Sequence, residues 1–180
     1  MNDLALHILD LIQNAVYAQA TLITLVITEN RDDDRLVIAI TDNGCGMTPE
    51  QTAQATDPYT TSRLTRKVGL GLPLCKQSAE QSGGSLSLVS AAGVGTTVTA
   101  TFGLQHIDRP PLGDTANALM LSVAANPHID FVYIHRYNRR QYTFDTREVR
   151  AALDGLPLHN PQTVQLLTTM IRERLKEIRT

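Results

Sequence analysis

Tryptophan is absent from this chain of 180 residues, aromatic residues make up 4% of it, and it holds two cysteines, Cys45 and Cys75. So few cysteines exclude a disulfide framework, and a reducing cytoplasmic setting is expected. No apolar run reaches membrane-spanning length. The first ten residues hold Asp3, His7 and Asp10 where an export leader needs a basic region and then an apolar core. Sixteen Lys and Arg stand against 18 Asp and Glu, for a net charge of -2. With the basic residues dispersed until the C-terminal third, neither nucleic acid nor a membrane is expected as a partner. A hydrophobic content of 42% is enough for one main core plus a small addition.

What is present is clear periodicity. Leu4, Ile8, Leu11, Ile12, Ala15 and Val16 recur at helical spacing over residues 2–20, with Asn2 or Asp3 as the cap. His7, Asp10 and Asn14 share another sector of that helix, about 60° wide. That sector is either a solvated face or a site in which Asn14 offers an amide oxygen to hydrated magnesium and Asp10 polarises a water or hydroxyl near a phosphate. Thr21–Thr28 alternates as a strand, and Glu29–Arg35 reads as a solvated acidic turn. Asp32, Asp33 and Asp34 lack calcium-loop spacing and receive no metal role. The next strand, Leu36 to Ile40, runs into Asp42-Asn43-Gly44-Cys45-Gly46-Met47. By itself this is either an ordinary turn or a place where a carboxylate accepts from the amine of a flat purine lying against glycine backbone.

Thr48-Pro49 opens a short helix. The hydroxyl-rich, basic segment from Asp57 to Lys67 has no apolar period and reads as a lid. Gly69-Leu70-Gly71-Leu72-Pro73 then precedes a helix lined by Leu74, Cys75, Ser78 and Ala79, a setting in which backbone N–H groups approach phosphate oxygens. Strands over 85–90 and 96–102 flank the turn 92–95. Cys75 reads as a core contact, and Cys45 as a small loop residue or a thiol beside the ligand.

Asp10-x-x-x-Asn14, Asp42-x-Gly44-x-Gly46, Gly69-x-Gly71-Leu72 and Gly95-Thr96-Thr97 stand in the order of the N, G1, G2 and G3 boxes of the GHKL superfamily. Over residues 1–104 the chain resembles the histidine-kinase-like ATP-binding domain. The resemblance implies the Bergerat fold, an α/β two-layer sandwich with a mixed, mainly antiparallel sheet and helices on one face. It implies ATP and Mg2+ as cofactors. Asp42 would bind the adenine amine, with Gly44, Gly46 and Met47 along the base and Thr96 at the same ring edge. Asn14 would hold the magnesium. Gly69, Leu70, Gly71 and Leu72 would cradle the phosphates under a lid bearing Thr61, Ser62, Arg63 and Lys67. Two departures matter. ATP-hydrolysing relatives carry Glu where Asp10 stands, which implies slow hydrolysis. Tyr17 replaces a basic residue common in kinases, leaving the γ-phosphate charge to Arg63, Arg66 or Lys67.

Residues 105–113 read as a connector and 114–180 as a small αββαα appendage: a dimer interface, docking surface or effector sensor. The arrangement resembles small stand-alone bacterial ATP-binding proteins loosely associated with redox enzymes. The implied function is an ATP-binding regulator with Asp10 as catalytic residue, passing the γ-phosphoryl group to a partner protein or hydrolysing ATP slowly. The alternative is an ATP-gated interaction module without significant catalysis. A mismatch-repair or DNA-topology role is disfavoured by the lack of a transducer domain and a Glu base. With the ATP domain at the first residue and no histidine on an exposed helix followed by an acid, autophosphorylation as in a complete sensor kinase is not expected.

Overall fold

The computed structural model describes residues 3–57, 59 and 70–180. Helix α1 (Leu4–Tyr17) begins at Asp3, whose carboxylate accepts from the Leu6 N–H, and buries Leu4, Ile8, Leu11 and Ile12. It stops two residues before Gln19, which adopts a left-handed φ of 61°. Strands β1 (Leu22–Asn30) and β2 (Arg35–Asp42) form the first hairpin. After the short helix α2 (Pro49–Gln54), opened by a Thr48/Gln51 capping box, come α3 (Gly71–Gln81), β3 (Ser85–Ala91) and β4 (Gly95–Gly103). The remaining elements are α4 (Thr115–Ala125), β5 (Asp130–Tyr137), β6 (Arg140–Asp145), α5 (Thr146–Ala152) and α6 (Pro161–Arg179).

One six-stranded sheet runs in the order β3-β4-β2-β1-β5-β6. Every neighbouring pair is antiparallel except β1 and β5, which run parallel with Leu22 opposite Asp130 and Glu29 opposite Tyr137. The expected mixed, mainly antiparallel α/β sandwich is therefore present. Alternate residues of each central strand point to the helices: Ile23, Leu25 and Ile27 on β1, Leu36, Ile38 and Ile40 on β2. Leu119 and Met120 of α4 and Ile171 of α6 join the same apolar layer.

The αββαα order of residues 114–180 is found, but its strands extend the main sheet from the edge of β1. Period-2 alternation identifies a strand without saying which edge it joins. Glu29, read from the sequence as part of a solvated turn, is instead the penultimate residue of β1 and largely buried. Its carboxylate accepts from His135 Nε2 at 2.7 Å and pairs with Arg179 at 2.5 Å. His135 in turn meets the Tyr133 hydroxyl at 2.6 Å, and that hydroxyl meets Thr115 at 3.1 Å. A polar chain thus ties α4, β5, β1 and α6 together.

Candidate functional site

The end of β2 brings Asp42 level with Thr96 of β4. Its neighbour Asn43 spends its amide on the scaffold: Oδ1 accepts from the Thr21 and Leu22 N–H groups at 2.9 Å, and Nδ2 donates to the Thr21 hydroxyl at 2.8 Å. With the turn pinned, the Gly44 N–H donates to Asp42 Oδ1 at 2.8 Å and the Cys45 N–H reaches the Ala18 carbonyl at the end of α1. Burial pushes the Asp42 carboxyl above the ordinary aspartate range, against the pull of the Gly44 and Thr96 N–H groups. Among the described residues it is a half-buried acceptor with no cation acting on it.

Close backbone approach explains the glycines. Gly46 has φ 66°, and a Cβ there would lie 1.9 Å from the Ala91 carbonyl oxygen; one on Gly95 would lie 2.0 Å from that of Asp42. The β3–β4 hairpin is thereby laid on the turn after β2, and the Gly93 N–H donates to the Cys45 carbonyl at 2.7 Å.

Ser90 was not singled out from the sequence, yet it links the whole cluster. Its Oγ accepts from the Met47 N–H at 2.8 Å, donates to the Gly95 carbonyl at 3.1 Å and lies 2.8 Å from Thr96 Oγ1. A hydroxyl has one proton. With the Ser90 proton directed to Gly95, Thr96 donates to Ser90 and its own oxygen is left as an acceptor; with the proton directed to Thr96, the roles of the two hydroxyls exchange. In the first arrangement Asp42 and Thr96 together present two acceptors, the complement of an amino group. The only local signal for Ser90 was its position at the end of a strand facing Gly95-Thr96.

The second half of the site lies along α1, about 12 Å away by helical rise from Ala18 to Asp10. Gly71 opens α3 with no side-chain cap, so its first-turn N–H groups have no acceptor within the helix. A Cβ on Gly71 would come 3.0 Å from the Asp10 Cβ, so Asp10 stands against that helix start. Leu72 is buried beneath it and Leu70 is exposed. Asn14, one turn beyond Asp10, has a buried Nδ2 with no hydrogen-bond partner. An unspent amide donor on a helix, with a carboxylate one turn away and an uncapped helix start beside it, fits a phosphate oxygen; a magnesium ion would need the other atom of the same amide, Asn14 Oδ1, with Asp10 placed to hold a water. Among the described residues no cluster of three or more His, Cys, Asp or Glu could hold a metal ion by itself.

His7, placed by sequence in the same sector, is buried, with Nδ1 unpartnered; burial holds its pKa down, so it stays neutral at neutral pH. Cys75 lies in the core with its thiol pushed up to about 12 by burial, and is inert. Cys45 is exposed on the turn. Thr61, Ser62, Arg63, Arg66, Lys67 and Gly69, the expected lid and first phosphate-loop glycine, lie outside the described residues.

The family model for histidine kinase-, DNA gyrase B- and HSP90-like ATPases matches residues 2–106. The chain belongs to this family. Among curated relatives, the histidine protein kinase SaeS of Staphylococcus aureus is 38% identical over 84 residues, covering 44% of this chain and 24% of SaeS. The sensor histidine kinase ZraS of Salmonella typhi is 32% identical over 93 residues, covering 51% of this chain and 20% of ZraS. The chain thus spans less than a quarter of the length of these relatives. The Aquifex aeolicus MutL ATPase domain complexed with ADP superposes with a TM-score of 0.52 at 14% identity, over 86% of this chain and 70% of that one. The N-terminal domain of a DNA repair protein gives a TM-score of 0.56 at 14% identity, over 79% and 52% of the two chains. At that identity the likeness is one of fold. The stretches that resemble the G1 and G3 boxes meet at Asp42 and Thr96, and those that resemble the N and G2 boxes at Asp10 and Gly71. No described helix is long and apolar enough to cross a membrane.

Proposed function

We propose that this chain is an ATP-binding regulator that uses magnesium and passes the γ-phosphoryl group to a protein partner, or hydrolyses ATP slowly in its absence. The observation that carries the reading is the pair of acceptors, Asp42 and Thr96, aligned through Ser90 on one side of α1, with the orphan Asn14 amide and uncapped α3 start on the other. Asp42 and Thr96 accept from the adenine amine. The Gly71 and Leu72 N–H groups at the start of α3 would bind phosphate, and Asn14 would hold the magnesium through its amide oxygen; the ion would supply charge neutralisation when bound. Asp10 orients a water or an acceptor hydroxyl; its short side chain makes hydrolysis slow. His7 and His135 are buried and out of reach as phosphoryl acceptors, whereas His106, His128 and His159 are exposed.

The test is calorimetry with Mg-ADP and Mg-ATP, followed by incubation with γ-labelled ATP and a nucleotide-dependent pull-down. Binding that needs Asp42 and magnesium, with ADP formation or label on a retained protein that is lost in Asp10→Ala, supports the proposal. Intact ATP with nucleotide-dependent partner affinity would replace it with the ATP-gated module. A stoichiometric acid-labile phosphate on this chain alone would overturn the choice of acceptor.

A further inference from the structure

Two buried side-chain atoms lack a hydrogen-bond partner among the described residues, Asn14 Nδ2 and His7 Nδ1, and both stand on α1. Native proteins leave few such atoms, because each gives up its hydration for no bond in return. The Asn14 donor has a phosphate oxygen to meet. His7 has no part in that scheme, yet it is 4% exposed and lies three residues from Asp10, in the sector that Asp10 shares with Asn14.

The course of α1 gives His7 its place. Ala18, just past the end of the helix, lies against Gly44 at the base end of the site, and Asp10 lies against Gly71 at the start of α3. Phosphates passing from the base to α3 therefore run toward the N-terminus of α1. The terminal phosphate is the one beside Asp10, with His7 about 4.5 Å further on by helical rise. Helical side chains lean toward the N-terminus, so the Asp10 carboxylate leans toward His7.

His7 is also the one residue of α1 able to carry positive charge, since Leu4–Tyr17 holds no Lys or Arg. Helix α1 packs against α3 and α4. Helix α4 has no ionisable residue. On α3, Cys75 is buried and uncharged, and Lys76 and Glu80 do not act on the imidazole. Burial and the positive amino terminus lower the His7 pKa, against Asp10 and Asp3, which raise it. The ligand-free imidazole is therefore neutral. Negative charge brought to the start of α3 adds to the two carboxylates and favours imidazolium, in which both ring nitrogens are charged donors, the unpartnered Nδ1 included.

We propose that His7 senses the terminal phosphate: binding of a magnesium nucleoside triphosphate places a proton on His7, and the imidazolium holds the Asp10 carboxylate in position. This rests on the nucleotide reading above. The proton comes from solvent and returns to it when the terminal phosphate leaves, and no covalent bond to phosphorus is involved. A diphosphate ends short of Asp10 and leaves His7 neutral. Because binding raises the affinity of His7 for its proton, the gain in triphosphate affinity is fully present below the ligand-free pKa and is lost as pH rises through the bound-state pKa.

Calorimetry from about pH 5 to 8 with Mg-ADP and with Mg-ATPγS, each in buffers of different ionisation enthalpy, counts the protons taken up on binding. The expected result is greater uptake with Mg-ATPγS, and an affinity for it that rises about tenfold as pH falls, equivalent to a shift of about one unit at His7. His7→Gln, similar in size and unable to take a proton, should bind Mg-ADP like the wild type and lose both the extra uptake and the pH dependence. The His7 Hε1 resonance, titrated in the wild type with each nucleotide, decides the matter even if that variant does not fold. Equal uptake for the two nucleotides, extra uptake that survives His7→Gln, or a His7 titration indifferent to Mg-ATPγS overturns the inference and leaves the nucleotide reading standing. If neither nucleotide binds, the nucleotide reading falls and this inference with it.

Discussion

Replacing Asp42 with Asn separates the cost of the site from its use. In the ligand-free protein Asp42 accepts the Gly44 N–H at 2.8 Å, and an Asn oxygen can take over that bond. What changes is the charge and the second acceptor, since the Asn amide turns a donor toward the adenine amine. Losing one charge-assisted hydrogen bond costs about 1.5–3 kcal/mol, or roughly 10- to 150-fold in affinity. Stability should move the other way. Burial raises the folded Asp42 pKa above its unfolded value, so the native state holds this proton more tightly. Asp42's contribution to stability is then greatest below the unfolded pKa and is lost as pH rises through the folded pKa. At pH 7 the wild type bears the cost of a half-buried carboxylate, and Asp42→Asn removes it. The variant should melt at the same or a higher temperature without nucleotide while binding Mg-ADP far more weakly by calorimetry. An unchanged dissociation constant would refute the base-binding assignment, and a large loss of ligand-free stability would show that the carboxylate is chiefly structural.

Ser90→Ala should strand the Met47 N–H and release the Thr96 hydroxyl, costing about 1–3 kcal/mol in urea unfolding; a parallel loss of nucleotide affinity is expected by calorimetry, and its absence would remove Thr96 from the base site. Gly46→Ala places a side chain at φ 66° and a methyl 1.9 Å from the Ala91 oxygen. Left-handed backbone alone costs about 1–2 kcal/mol, so the unfolding free energy from urea denaturation should fall by more than that. Glu29 shows the opposite pH sign from Asp42. Burial alone would raise its pKa, but hydrogen bonds from His135 and Arg179 outweigh it and hold the pKa below the usual glutamate range. Its contribution is present above the unfolded pKa and lost as pH falls through the folded one. Glu29→Gln should therefore destabilise by about 1–3 kcal/mol at pH 7 and flatten the acid limb of a stability–pH curve measured by thermal melting.

Much of this was legible in one dimension because the signals are local. The hairpins, the Asp114 cap with helix 115–125, and the strand running into Asp42-Asn43-Gly44 depend on periods of 2 and 3.6 and on residues whose backbone preference acts where they stand. The order of the four boxes along the chain points to the family by itself. Tertiary structure decided what depends on distant neighbours. Glu29 lies in a run of charged residues, and only the arrival of β5 beside β1 and of Arg179 from the last helix makes it a buried partner 106 and 150 positions away from its contacts. His7 shares a helical sector with Asp10 and Asn14, but a sector is an angle, and packing against the neighbouring elements determines which part of it sees water. Ser90 carries no motif, and its role arises because Gly46 and Gly95 let two backbones close to within contact.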